Sequence, residues 1–111
     1  ETKESVTFSS QLSSAKSHLD FVSLAANKSG RAMEPFLIDV ATEPDHEPVL
    51  STHEGEEFIY VLEGAIKVHY GKDIHIVNTG DSIYYDSVVQ HLVTSANGKP
   101  AKILAVVYTP L

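Results

Sequence analysis

Short segments rich in Val, Ile, Tyr and Phe recur along this chain, near residues 19–25, 36–41, 57–63, 65–70, 73–77, 82–85, 89–95 and 102–108. Turn-forming stretches separate most of them: Lys28 to Arg31, Glu43 to Pro48, Glu63-Gly64, Gly71-Lys72, Asn78 to Asp81 and Asn97 to Pro100. Strands spaced at roughly 8–12 residues and punctuated in this way specify a β-sandwich or barrel. The 111 residues, 42% hydrophobic and 21% charged, suit one globular domain. Residues 1–17 stand apart, being rich in Ser, Thr, Lys and Gln with only Val6, Phe8 and Leu12 as apolar anchors. They read as a mobile arm or linker ahead of a barrel domain at 18–111.

Alternation assigns faces, since successive side chains on a strand point to opposite sides. Ile66, Val68 and Tyr70 form an apolar face against Ala65, Lys67 and His69, and Ile74 and Ile76 oppose Asp73 and His75. By this pattern Ile74 and Ile76 face inward, and His69 and His75 outward. Phe58 to Leu62 and Ile103 to Tyr108 are apolar on both faces and need cover outside as well as inside, from the arm or from a second subunit. A homodimer is the expectation. Neither run approaches the roughly 20 residues of a membrane helix, and no basic-then-apolar start marks a signal peptide. A soluble cytoplasmic protein that does not engage a membrane is expected. The charge of −7 is spread along the chain, which disfavours direct contact with nucleic acid. With no cysteine in the chain, any metal must be held by His and carboxylate.

The segment from Ser51 to Glu57 carries the chemistry. In one straight strand His53 and Glu57 would stand about 13 Å apart at ~3.3 Å per residue, too far to share an ion held at ~2.1 Å from each ligand. A bend is required, and Gly55 is where it is expected, so that His53 ends one strand and Glu57 begins the next. Glu57 then points inward with Ile59 and Val61, where an acid is costly unless paired or bound to a cation. His91 shares an inward face with Val89 and Val93, while Gln90 and Thr94 alternate outward. Two imidazoles and a carboxylate on one interior wall are the donor set of a site for Fe(II), with Mn, Ni, Cu or Zn as alternatives. A hydrogen-bonded trio without metal is the plainer reading. His18, His46, His69 and His75 read as solvent-facing or loop residues. Tyr60, Tyr84 and Tyr85 read mostly as core, and at least one of the adjacent pair Tyr84 and Tyr85 must face away. Ser51, Ile59, Tyr85 and Val93 are the candidates to line a bound small organic ligand. No phosphate-binding glycine loop and no nucleophile elbow is present.

The run from His53 through Glu57 to Gly64 resembles the first cupin motif, and the run from Gly80-Asp81 through Tyr84-Tyr85-Asp86-Ser87 to His91 resembles the second. The resemblance implies an all-β cupin double-stranded β-helix, or jelly-roll barrel, with His53, Glu57 and His91 as metal ligands. Ser51 stands where such motifs usually carry a further His, and Asp86 and Val88 stand where Pro and Gly are common, so three ligands are implied instead of four. Met33-Glu34-Pro35-Phe36, His53-Glu54-Gly55-Glu56-Glu57-Phe58 and Gly80-Asp81-Ser82-Ile83-Tyr84-Tyr85-Asp86-Ser87 look more particularly like cupin domains of bacterial helix-turn-helix (XRE-type) transcription regulators. That resemblance implies a small-molecule sensor with DNA binding in a domain upstream of Glu1, in keeping with a chain whose only methionine is Met33. The family also includes members resembling an iron-dependent epoxidase of a phosphonate antibiotic pathway. A small metal-dependent oxygenase or isomerase is the alternative this implies.

Overall fold

The computed structural model describes residues 4–6, 18–42 and 50–110. Among them run nine strands: β1 (Glu4–Val6), β2 (Leu19–Ser23), β3 (Met33–Val40), β4 (Glu56–Glu63), β5 (Ala65–Tyr70), β6 (Asp73–Asn78), β7 (Ser82–Asp86), β8 (His91–Ser95) and β9 (Ala101–Tyr108). None of the described residues is helical, so no helix there is long and apolar enough to cross a membrane. The strands form a six-stranded sheet in the order β1-β2-β3-β9-β4-β7 and a three-stranded sheet in the order β6-β5-β8. Every pairing is antiparallel. The all-β expectation therefore holds, and each of the eight predicted segments overlaps one strand.

The two sheets close over a single apolar core. Phe36, Ile38 and Val40 of β3, Ile59 and Val61 of β4, Ile103 and Ala105 of β9, Ile66 and Val68 of β5 and Val93 of β8 are all buried. Each such large side chain contributes about 1.5–3 kcal/mol by leaving water. Phe21 meets Phe36 edge-to-face at 5.2 Å, the geometry that the ring quadrupoles favour. The chain passes from one sheet to the other between β4 and β5, where the β4 and β9 register shifts between Val61 and Glu63.

Several expectations need correction. Ile74 and Ile76 are exposed at 59% and 53%, because the β5 and β6 register sets Val77 opposite Ile66 and so turns the odd residues of β6 inward. Alternation within β6 could not reveal this, since the parity is chosen by the neighbouring strand. His75 shares the face of Val77, yet stays exposed on a strand that forms the edge of its sheet. Tyr60 and Tyr84 are not core: they lie on the outer face, 37% and 65% exposed, and only Tyr85 enters. His18 is half-buried, with its Nε2 2.6 Å from the Val93 carbonyl oxygen. β3 begins at Met33 instead of Phe36 and takes in Pro35, which is tolerated because the regular β2 ladder ends at Ser23 and Phe36. Within the expected arm, Glu4–Val6 pairs with β2 and extends the sheet edge. The rest of that arm, the Glu43 to Pro48 turn and His46 lie outside the described residues.

Gly55 makes the predicted bend with φ of 117°. A Cβ there would fall 1.8 Å from the Tyr108 carbonyl oxygen at the end of β9. No strand ends at His53, however; Ser51 forms an isolated bridge to His91, and β4 starts at Glu56. Gly55→Ala is expected to lose more than about 2 kcal/mol through the strained φ together with the backbone collision. Urea unfolding should show a lower midpoint at unchanged slope, and a midpoint equal to that of the parent would contradict this account of the turn.

Candidate metal centre

The site begins with the turn after the Ser51 bridge. Ser51 and His91 exchange backbone hydrogen bonds of 2.8 and 2.9 Å, which tie the approach to the turn directly to the start of β8. The His53 N–H donates to the Ser87 carbonyl at 3.0 Å, and the Ser87 N–H donates to the Gly55 carbonyl at 2.9 Å. The Thr52 hydroxyl adds a bond to the Val88 carbonyl at 2.6 Å. The turn is thereby fastened to the loop between β7 and β8. Backbone donors and acceptors that would otherwise be lost to irregular structure do this work.

These ties bring His53, Glu57 and His91 together, with one donor atom from each lying within 4.8 Å of the others. The His53 Nε2 faces Glu57 Oε2 at 2.9 Å and the His91 Nε2 faces the same oxygen at 3.2 Å. The two imidazole rings stand 5.4 Å apart, at 74° to one another. Donor atoms roughly 3 Å apart have the spacing of neighbouring ligands on one ion bonded at ~2.1 Å. Two imidazoles and a carboxylate suit a divalent transition metal, so the donor set fits the group the sequence motifs imply. Exposure is graded across the trio: the side chains of His91 and Glu57 are 6% and 12% exposed and that of His53 35%. The site opens to solvent on the His53 side.

Glu57 is held further by Tyr85, whose hydroxyl donates to Oε1 at 2.7 Å, and by Ser87, whose hydroxyl donates to Oε2 at 3.1 Å. Burial works against the charge of Glu57, but the hydrogen bonds from His91 and Tyr85 and the charges of His91 and His53 outweigh it and hold the carboxyl below its ordinary value. Burial likewise disfavours a charged His91. The Glu57 bond and the Val89 carbonyl, 2.8 Å from Nδ1, prevail and raise its pKa. Burial, then the neighbouring charge of Glu57, push the Tyr85 phenol upward, so it remains a hydrogen-bond donor. Both ring nitrogens of His91 are set against oxygen atoms, Nδ1 against the Val89 carbonyl and Nε2 against Glu57 Oε2.

The candidates for lining a ligand are distributed unevenly. Ser51 is half-buried beside His91, and Tyr85 touches Glu57 directly. Ile59 and Val93, 1% and 9% exposed, belong to the core cluster beneath the trio. Ser87, fully buried, was missed as a site residue, although it lies two positions beyond Tyr85 and so shares its direction. Tyr70 was read only as an apolar face residue; its ring meets that of Tyr85 at 5.2 Å. Nothing in its own segment signals that contact.

Residues 39–107 match the Cupin_2 family, described as Cupin domain. The chain is 35% identical over 89 residues to (S)-2-hydroxypropylphosphonic acid epoxidase of Streptomyces wedmorensis, covering 75% of this chain and 45% of that protein. A structure of Fe(II)-HppE with the alternative substrate (S)-1-HPP superimposes with a TM-score of 0.77 at 25% identity, over 96% of this chain and 56% of its own. An HTH_3 family transcriptional regulator from Vibrio cholerae superimposes with a TM-score of 0.70 at 23% identity, over 86% of this chain and 53% of its own. This chain thus spans about half the length of these relatives.

The shifted groups fix how stability depends on pH when no metal is bound. Glu57 lies below its ordinary 4.5, so its contribution is complete above pH 4.5 and fades as pH falls through the lowered value. His91 lies above its ordinary 6.5, so its contribution is complete below pH 6.5 and fades as pH rises through the raised value. Thermal unfolding of chelator-treated protein should therefore show a plateau of pair stabilisation between pH 4.5 and 6.5. Glu57→Gln should flatten both limbs. An unchanged profile in that variant would show that the pair does not govern stability.

Proposed function

The chain belongs to the Cupin domain family, and from that membership we propose that its barrel binds a small organic molecule at a divalent transition metal held by His53, Glu57 and His91, as the sensing domain of a transcription regulator. The observation that carries the metal reading is the convergence of two imidazole Nε2 atoms on one carboxylate oxygen, at 2.9 and 3.2 Å, in a site mostly closed to water. The metal would supply a Lewis-acidic centre for an oxygen-bearing ligand. The protein's own part would be to hold the donors: the Val89 carbonyl against Nδ1 would fix the His91 ring with Nε2 toward the ion, and Tyr85 and Ser87 would orient the carboxylate. Ile59 and Val93 would form the apolar floor and Ser51 one wall.

The sensing role rests on the motif phrases around Met33, His53 and Gly80, which look like those of regulator cupins. DNA contact in that reading belongs to another part of the protein, in keeping with the dispersed negative charge. A second reading, a metal-dependent enzyme of the oxygenase or isomerase type, is favoured by the 35% identity to the epoxidase. It also makes iron the first metal to try, since the superimposed HppE holds Fe(II).

We also propose that the protein is a homodimer, with the outer face of the large sheet as the contact. Val22, Leu37, Leu104 and Tyr60 form one row across β2, β3, β9 and β4 by register, and Pro35, Val106, Phe58 and Tyr84 form the next across β3, β9, β4 and β7. A sheet face this apolar is ordinarily covered.

Metal analysis of protein purified without chelator should find roughly one ion per chain, and far less in a His53→Ala, His91→Ala double variant. Equal and negligible metal in both would sink the metal reading. Fe(II)-loaded protein that oxidises small hydroxy acids or hydroxyphosphonates favours the enzyme; ligand binding without turnover favours the sensor. Sedimentation at micromolar concentration should report a dimer that Tyr60→Glu dissociates, and a monomeric parent would rule out the proposed contact.

A further inference from the structure

The two oxygens of Glu57 have different surroundings. Oε2 faces both histidines and accepts from Ser87. Oε1 accepts from the Tyr85 hydroxyl at 2.7 Å. Tyr85 has little freedom to move: it is 6% exposed, its backbone sits opposite Glu57 in the β4 and β7 register, and its ring is packed against Tyr70 at 5.2 Å and His91 at 5.1 Å. For a carboxylate to grip an ion with both oxygens, it must turn so that both are about equally near the ion. In this site the turn would carry Oε1 toward the histidines and away from Tyr85, and a buried hydroxyl stripped of its acceptor is costly.

We propose that Tyr85 is a positioning residue that keeps Glu57 a one-oxygen ligand by holding Oε1 away from the metal. The protein then offers three donor atoms, two imidazole nitrogens and Oε2. A six-coordinate ion then keeps about three open places where a two-oxygen glutamate would leave two, so a small organic ligand that chelates through two oxygens can bind with one place still free. A hydroxy acid or hydroxyphosphonate is of that class. Ser87 acts on the other oxygen, so its hydroxyl steadies Oε2 without controlling how many oxygens bind.

The inference rests on the metal reading above, and the test separates the two. Wild type, Tyr85→Phe and Ser87→Ala are loaded with Mn(II), and two quantities are read: the separation of the antisymmetric and symmetric carboxylate stretches in metal-loaded minus metal-free infrared spectra of ¹³C-glutamate protein, and the number of exchangeable waters from broadening of the Mn(II) resonance in ¹⁷O water. Wild type and Ser87→Ala are expected to show the wide separation of a one-oxygen carboxylate, with about three exchangeable positions on a six-coordinate ion. Tyr85→Phe is expected to show a narrower separation and one water fewer. A narrow separation in loaded wild type overturns the inference without any variant, as does a Tyr85→Phe protein identical to wild type, or a Ser87→Ala protein that changes in the same way. Wild type that binds no Mn(II) or Fe(II) overturns the metal reading, and this inference falls with it.

Discussion

A carboxylate set on the apolar wall of a barrel must be met by donors, and the functional end of this molecule is arranged around meeting that of Glu57. The parity that buries Ile59 and Val61 also turns Glu57 inward. Four side chains from three further segments then converge on its two oxygens: His53 from the turn, Tyr85 from β7 with Ser87 just past its end, and His91 from β8. Removing the partners of a charge in such a place costs more than the pairs contribute while intact.

That convergence depends on a piece of backbone that is neither helix nor strand. The segment from Ser51 to Gly55 is tied at one end to His91 and at the other to Ser87. Gly55 permits the tie, because its φ and its approach to the end of β9 exclude a side chain. The hydrogen bonds that build the turn are therefore the ones that aim His53, and the geometry of the His53, Glu57 and His91 group is a consequence of backbone satisfaction. The histidine on the turn is the most exposed of the three ligand candidates, which sets the side from which a small molecule can approach.

The donor set is shared by sensing and catalytic readings, and a family fold hosts both. What separates them is what happens after binding, and this chain spans only about half the length of those relatives. The barrel by itself accounts for how a small molecule could be held. Binding and chemistry are distinguished by the response of the bound molecule, a property that a conserved fold does not carry.

Strand rhythm, the bend at Gly55 and the inward parity of Glu57 and His91 were all legible in the sequence, because each follows from local chemistry: turn residues, a glycine between glutamates, and alternation within one strand. The spacing of the two cupin-like runs extended this to the grouping of His53, Glu57 and His91. The faces of β6 and the exposure of Tyr60 and Tyr84 were not legible, since whether a side chain is inside depends on the strand beside it and on what covers the sheet. Ile74 and Ile76 show this most plainly: their segment alternates cleanly, yet pairing of Val77 with Ile66 selects the opposite parity. Ser87 and Tyr70 were hidden for the same reason, their roles being contacts with residues distant in the chain. The sequence by itself determined the fold class and which three residues could meet; only the tertiary structure decided that they meet on a single carboxylate oxygen, with Tyr85 on the other, because register and sheet closure set those distances and no local pattern encodes them.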